Sequence, residues 1–313
     1  MQNKPLLMGL AAAIAIWGLA PLGLSRHYVD VLNFSAILAI GGLGVGLLLG
    51  QCGIVNLGQA AFYGCGAYAI AYGTTELGWG ALPSMLMGMT VSGVLAAVIG
   101  YPILRLSGFF LALATLAIGS IAGVLFFEWD WLTGGTLGLG GIPQLSLLGW
   151  ELNSPERFHY FIWPVLLVLL VLAYNLTRSR PGLALRAMRD AAPAAEVLGI
   201  DMHNLKTAMF VICAVLGALS GSLFAHYVSF VSVQSFTVER SILFLLVPVV
   251  AGAHSVFGVV LGALFVALVP ELLSGLGDFH QVLFGLVLVL VVTLMPGGLT
   301  GMLHQWRGRE GAK

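Results

Sequence analysis

Apolar residues in this chain neither alternate with polar ones nor keep to one helical stripe; they run on for about a membrane thickness at a time, between short polar turns. A helix crosses the roughly 30 Å hydrocarbon layer in about 20 residues. Runs of that order stand near residues 6–24, 31–50, 57–73, 82–102, 109–127, 158–177, 206–228, 241–253, 256–273 and 281–300, the eighth being short for a crossing. Such continuity does not fit the alternating strands of a membrane barrel, and backbone at bilayer depth must close its hydrogen bonds within a helix. The pattern predicts an all-α, polytopic membrane protein with about ten transmembrane helices in a single domain spanning 1–313.

Two polar stretches break the rhythm, at 128–157 and at 178–206. With an even number of crossings, Lys4, Arg105, Arg178, Arg180, Arg186, Arg189, Lys206, Arg307, Arg309 and Lys313 fall on one side, and Arg26, Arg157 and Arg240 on the other. Lys and Arg gather on the cytoplasmic side, so the expected topology is N-in and C-in, with 128–157 outside and 178–206 inside. The formal net charge of +0 hides this asymmetry, because acidic residues such as Asp30, Glu128, Asp130 and Glu239 collect at the outer ends. Only 8% of residues are charged, against roughly 25% in a soluble domain. Nothing in this balance points to nucleic acid. The first run has only Lys4 ahead of it and a poor small-residue cleavage site at Ala20-Pro21-Leu22, which predicts a retained span.

Polar side chains inside the apolar runs are few. Asn56 and Gln59 open the third run, with Tyr63 one turn along the same face, and Thr115 stands within the fifth. Such groups either bond neighbouring helices or line a wet path. Gly42, Gly46 and Gly50, Gly217 and Gly221, and Gly258 and Gly262 recur at a spacing of four, which lets backbones approach closely, within one subunit or between two. Glu271, Glu239, Arg240 and Arg105 read as interfacial side chains, and Trp129 and Trp131 as an outer aromatic belt. Cys52, Cys65 and Cys213 form no CxxC pair and read as small buried hydrophobes.

Chemistry of other kinds finds no support. The chain contains neither GxxxxGK[ST] nor HExxH, and none of its histidines has a second His or a Cys at i+3 or i+4. No catalytic residue, no metal ligand and no cofactor is therefore assigned to this chain, and no acid, nucleophile and base share a segment.

The inner stretch has the composition of two short helices. Pro181 suits a first turn, Asp190 suits the cap of a second helix with Pro193 in its first turn, and Gly199 suits a stop. Leu183, Leu185, Met188, Val197 and Leu198 would bury on a partner, or on lipid headgroups, while Arg186, Arg189 and Glu196 fix the orientation.

The segment AAEVLGI at 194–200, led by GLALRAMR at 182–189, resembles the cytoplasmic coupling loop of ABC importer permeases, specifically branched-chain amino acid permeases of the LivM type. NLGQAAFYGCGAY at 56–68, FLALATLA at 110–117 and LTGGTLGLGGIP at 132–143 are similar to further segments of that family, in its order, so that the likeness extends from about residue 34 to 300. Gln59 stands where the family often has His, and Ala251-Gly-Ala-His254 where it has a Gly-Gly pair.

The resemblance implies an ABC importer permease fold and half of a translocation pathway in a bacterial inner membrane. It implies two cytoplasmic ATPase subunits, a second related permease and an external solute-binding protein as partners, besides membrane lipid. Glu196 and Gly199 take the loop's acidic and glycine positions, and Arg186 and Arg189 its basic lead-in. Asn56, Gln59, Tyr63 and Thr115 are the candidates for lining the path. The solute stays open between branched-chain amino acids and urea or another short amide, and a stand-alone secondary carrier is the rival class.

Overall fold

The computed structural model describes residues 17–18, 21, 23–147, 150–273, 279–294 and 297–301. Most of the predicted first span, and Lys4, Arg307, Arg309 and Lys313, lie outside the described residues. The long helices are α1 (Arg26–Leu47, prolonged by a π-helical turn, Leu48–Cys52), α2 (Gln59–Thr75), α3 (Ala81–Ile103) and α4 (Gly108–Glu128). After a short α5 (Asp130–Thr133) come α6 (Pro155–Arg178), α7 (Arg180–Asp190), α8 (Ala192–Val197) and α9 (Met202–Val228). The chain continues through α10 (Val238–Ala251), α11 (Gly258–Leu273) and α12 (His280–Leu294).

Among the described residues, α1 with its π turn, α3, α4, α6 and α9 are each long and apolar enough to cross a membrane. The chain is thus a mostly helical, multi-pass membrane protein. At ~1.5 Å per residue, the 14-residue α10 reaches only about 21 Å, in keeping with the short eighth run.

Two helices form the centre. The apolar window of α1 is 94% buried within the subunit and that of α9 72%, against 22% for α4 and 28% for α3. Contact without bulk makes this possible: a β carbon at Gly221 of α9 would stand 1.8 Å from the Tyr63 carbonyl oxygen, and one at Gly66 of α2 would stand 2.0 Å from that of Ala218. The other spaced glycines also meet their own chain, Gly42 facing Val247, Gly46 facing Pro248, Gly50 facing the Ala253 carbonyl, Gly217 facing Gln59 and Gly262 facing the Val247 carbonyl. Around this seam pack Phe62, Phe210, Phe236, Phe244 and Trp163, each nearly inaccessible.

Contacts at the helix ends define two faces. Arg26 pairs with Glu156 at 3.4 Å and His27 with Glu271 at 2.7 Å, which gathers one end of α1, α6 and α11. At the opposite face Arg105 lies over Tyr101, whose ring meets His203 edge-on at 4.3 Å, and Arg189 reaches the Gly50 carbonyl. Of the described basic residues, Arg105, Arg178, Arg180, Arg186, Arg189 and Lys206 belong to this second face, and Arg26, Arg157 and Arg240 to the first.

The segment after α4 is folded onto the first face. Its strand β1 (Leu139–Gly140) pairs antiparallel with β4 (Phe230–Val231), which follows α9, while β2 (Ser146–Leu147) and β3 (Trp150–Glu151) form a hairpin. Thr133 donates to the Phe126 carbonyl at 2.6 Å, and the His226 ring meets the Pro143 carbonyl at 2.8 Å. Trp131 and Leu137 remain exposed on top.

The α2–α9 seam yields a direct test. Gly221→Leu should cost at least the ~1–3 kcal/mol of ordinary overpacking, lowering accumulation in the membrane and giving aggregated material on gel filtration. Gly123→Leu, where nothing lies within 4 Å of the added carbon, should behave as wild type. Equal behaviour of the two variants would refute the close approach.

Candidate functional site

The third apolar run is not a helix crossing from one surface. After the π turn the chain turns at Gly53, whose φ of +68° closes the helix, and stays non-helical to Gly58, so α2 starts only at Gln59. The Gln59 amide donates to the carbonyls of Cys213 at 3.0 Å and Gly41 at 3.3 Å. Each of these partners stands roughly 16 Å along its helix from the handle-bearing end, at ~1.5 Å per residue. The α2 N-terminus is therefore buried near half depth, where its open N–H groups have no water to meet.

Side chains from three segments meet them instead. Asn56 Oδ1 accepts from Gly58 N at 2.9 Å, Thr115 Oγ1 of α4 accepts from Leu57 N at 3.0 Å, and Ser241 Oγ of α10 accepts from Ala60 N at 2.9 Å. Asn56 Nδ2 donates to Gln59 Oε1 at 3.1 Å, and Cys213 Sγ donates to the same oxygen at 3.1 Å. Asn56, Gln59, Thr115 and Ser241 are all inaccessible to solvent or nearly so.

The structure thus brings Asn56, Gln59 and Thr115 into one knot and sets Tyr63 apart from it. Tyr63 packs edge-on against Phe236 and Phe244 and forms part of the wall of a cavity of about 230 Å³. The sequence does not single out Ser241 and offers Cys213 only as a small buried hydrophobe, since neither lies in a motif and their partners are more than 150 positions away.

The second cluster is a handle at the opposite end of α1. Ser179 caps α7, accepting from Gly182 N at 3.4 Å, with Pro181 in the first turn. Gly199, at φ +74°, ends α8, with Gly199 N donating to the Glu196 carbonyl at 2.9 Å and Ile200 N to that of Ala195 at 3.2 Å. Asp190 does not cap α8. It is the last residue of α7, and its carboxylate takes a 2.8 Å bond from Arg189 Nε, leaving Ala191 at the cap position. That bond and the guanidinium's charge hold the Asp190 carboxyl below the usual carboxylate range.

The handle's apolar residues divide between two directions. Leu185, Met188 and Ala195 are buried in the subunit's own core, whereas Leu183, Val197 and Leu198 are 57%, 88% and 77% exposed. Arg186 is half-buried and Glu196 is exposed. Arg189 turns inward: its Nη1 donates to the Gly50 carbonyl in the π turn, and its stem lies over Gly53. Gly50 is in turn pressed by Ala253 from the α10–α11 connection. Handle, α1 and the α10–α11 hairpin therefore meet at one turn of π helix.

Residues 27–292 match the family described as the permease component of the branched-chain amino acid transport system. The high-affinity branched-chain amino acid transport system permease protein LivM of Salmonella typhimurium is 30% identical, the match covering 96% of this chain and 76% of that protein. LivM of Escherichia coli K12 is 30% identical over 100% of this chain and 78% of its own length. LivH of the same strain, also a permease protein of that transport system by name, is 25% identical over 85% of this chain and 91% of its own.

Removing a buried partner from the knot leaves its donors unsatisfied, at about 1–3 kcal/mol each. Asn56→Leu should lower the midpoint of thermal unfolding of the detergent-purified chain by several degrees, and Ser241→Ala by less. Thr90→Val, which loses only a bond to Leu86 of its own helix on an exposed face, should leave it unchanged. A midpoint unmoved by Asn56→Leu and Ser241→Ala would refute the capping role.

Proposed function

The chain belongs to the permease components of branched-chain amino acid transport systems, and we infer from that premise how this subunit works within an ATP-driven importer. In this reading it crosses the bacterial inner membrane about ten times, N-in and C-in, as one transmembrane unit, and builds half of the translocation pathway for a branched-chain amino acid. The excess of Lys and Arg on the handle-bearing face supports that face as cytoplasmic.

The observation that carries the reading is the division of the handle. A helix resting on lipid would present its apolar side toward the bundle and the membrane. Here Leu185 and Met188 are already buried in the subunit, while Leu183, Val197 and Leu198 stay exposed beside the exposed Glu196. Three large exposed apolar side chains on two short helices fit a protein groove, where each contributes ~1.5–3 kcal/mol if fully buried. We assign the groove to a cytoplasmic ATPase subunit, one of two in the assembly. A second permease, related as LivH is to LivM, completes the pathway, and an external binding protein delivers the solute onto the face covered by the 128–157 segment.

ATP binding and hydrolysis in the partners would displace the handle. Its motion would pass through Arg189 to the Gly50 turn and on to α10 and α11, which border the Tyr63 cavity. Asn56, Gln59 and Thr115 hold the α2 break through this motion, and Tyr63 faces the path. The chain itself supplies no hydrolytic chemistry and no cofactor.

Glu196→Arg and Leu198→Asp place a wrong charge in the proposed contact without touching the core. Both should cut ATP-driven leucine uptake at least tenfold and abolish copurification of the nucleotide-binding subunits, with the chain still in the membrane. Arg189→Gln should keep the partners bound yet lose most transport. Normal uptake by the Glu196 and Leu198 variants would overturn the docking assignment.

A further inference from the structure

The cavity of about 230 Å³ beside Tyr63 has an unusual wall for a membrane protein. Phe34 and Leu38 of α1, Tyr63 of α2, Phe244 of α10 and Val266 of α11 make it apolar, and Arg240 and Glu271 are the charged residues of its lining. These two come from opposite strokes of one hairpin, Arg240 from the first turn of α10 and Glu271 from the last turn of α11. His27 Nε2 meets Glu271 Oε1 at 2.7 Å and fixes the carboxylate there. Arg240 forms no ion pair among the described residues.

We propose that this cavity is the permease's own binding site for a zwitterionic aliphatic α-amino acid, with Arg240 holding the carboxylate, Glu271 the ammonium, and the aromatic and aliphatic wall the side chain. The inference rests on the importer reading above and adds the residues that would select the solute. A guanidinium matches a carboxylate in two parallel hydrogen bonds. An ionised carboxylate accepts at both oxygens, at about four lone-pair sites, which suits an ammonium with three N–H donors. The volume equals the share of roughly eight waters at ~30 Å³ each, room for one small amino acid. A neutral amide such as urea would leave both charges uncompensated and the apolar wall unfilled.

The test uses the complete importer, purified with its partners into proteoliposomes energised with ATP. L-leucine is the probe, and isoamylamine (no carboxylate) and 4-methylpentanoate (no ammonium) are competitors. Wild type should import leucine and ignore both competitors. Arg240→Gln should raise KM for leucine about tenfold or more with basal ATPase retained, and should narrow the preference for leucine over isoamylamine. Glu271→Gln should narrow that over 4-methylpentanoate instead. A merely structural disturbance would raise KM for leucine without narrowing either preference and would overturn the assignment.

Unchanged KM in both variants would also overturn it, while leaving the importer reading intact. So would import of urea but no α-amino acid. Absence of any ATP-driven import would sink both. If either variant fails to assemble, Ala267→Cys in the cavity wall decides: leucine, but not isoamylamine, should protect the thiol from a methanethiosulfonate reagent, and lack of protection would refute the site.

Discussion

A helix that begins in the middle of a membrane must satisfy its first N–H groups without water, and the rest of this structure is arranged around that requirement. Unsatisfied backbone donors at such depth cost several kcal/mol each. Asn56, Thr115 and Ser241 take up the donors of residues 57, 58 and 60. Gln59 then ties the break to the carbonyls of α1 and α9. Irregular backbone is tolerated at membrane depth only where protein or a cavity surrounds it, so the helices supplying those partners have to be central. That is why α1 and α9 are the most buried of the long spans, and why the α2–α9 seam is built from glycine.

The break also explains an economy of polar residues. The chain has few uncharged polar groups inside its apolar runs, and those at 56, 59 and 115 serve one another instead of being scattered along a channel. Composition allows these residues a wet path or helix-to-helix bonds alike. Their burial and pairing favour a supporting part for three of the four, and leave Tyr63 on the cavity wall.

Much of the fold was legible because it depends on local rules. Run length and continuity located α1, α3, α4, α6 and α9 to within a few residues, and Pro181 and Gly199 mark the handle's turns by their own backbone preferences. What stayed hidden depends on distant partners. Nothing near Gln59 says that the run from residue 57 starts at half depth, because Cys213 and Ser241 meet it only after folding. Asp190 had the right type for a cap, yet a charge-assisted bond to the adjacent Arg189 was the stronger local option. Arg240 and Glu271 each looked like an ordinary interfacial charge, since their shared cavity exists only once α10 and α11 fold back on each other. Most of the predicted first span falls outside the described residues.

The two ends of α1 divide the work between them. At one end, His27 positions Glu271 beside the cavity; at the other, the π turn presents the Gly50 carbonyl to Arg189. The Gly50 carbonyl is open to such a contact because it lies in the last turn of the helix, where carbonyls have no N–H ahead of them to accept from. Glycine at position 50 then serves twice: it lets the α10–α11 connection press against the turn, where a β carbon would stand 2.0 Å from the Ala253 oxygen, and its carbonyl anchors the handle. A displacement of the handle cannot be absorbed by side-chain rearrangement at a site packed backbone to backbone. It has to move α1, the α10–α11 hairpin, or both, and these are the elements that enclose the cavity at the other end.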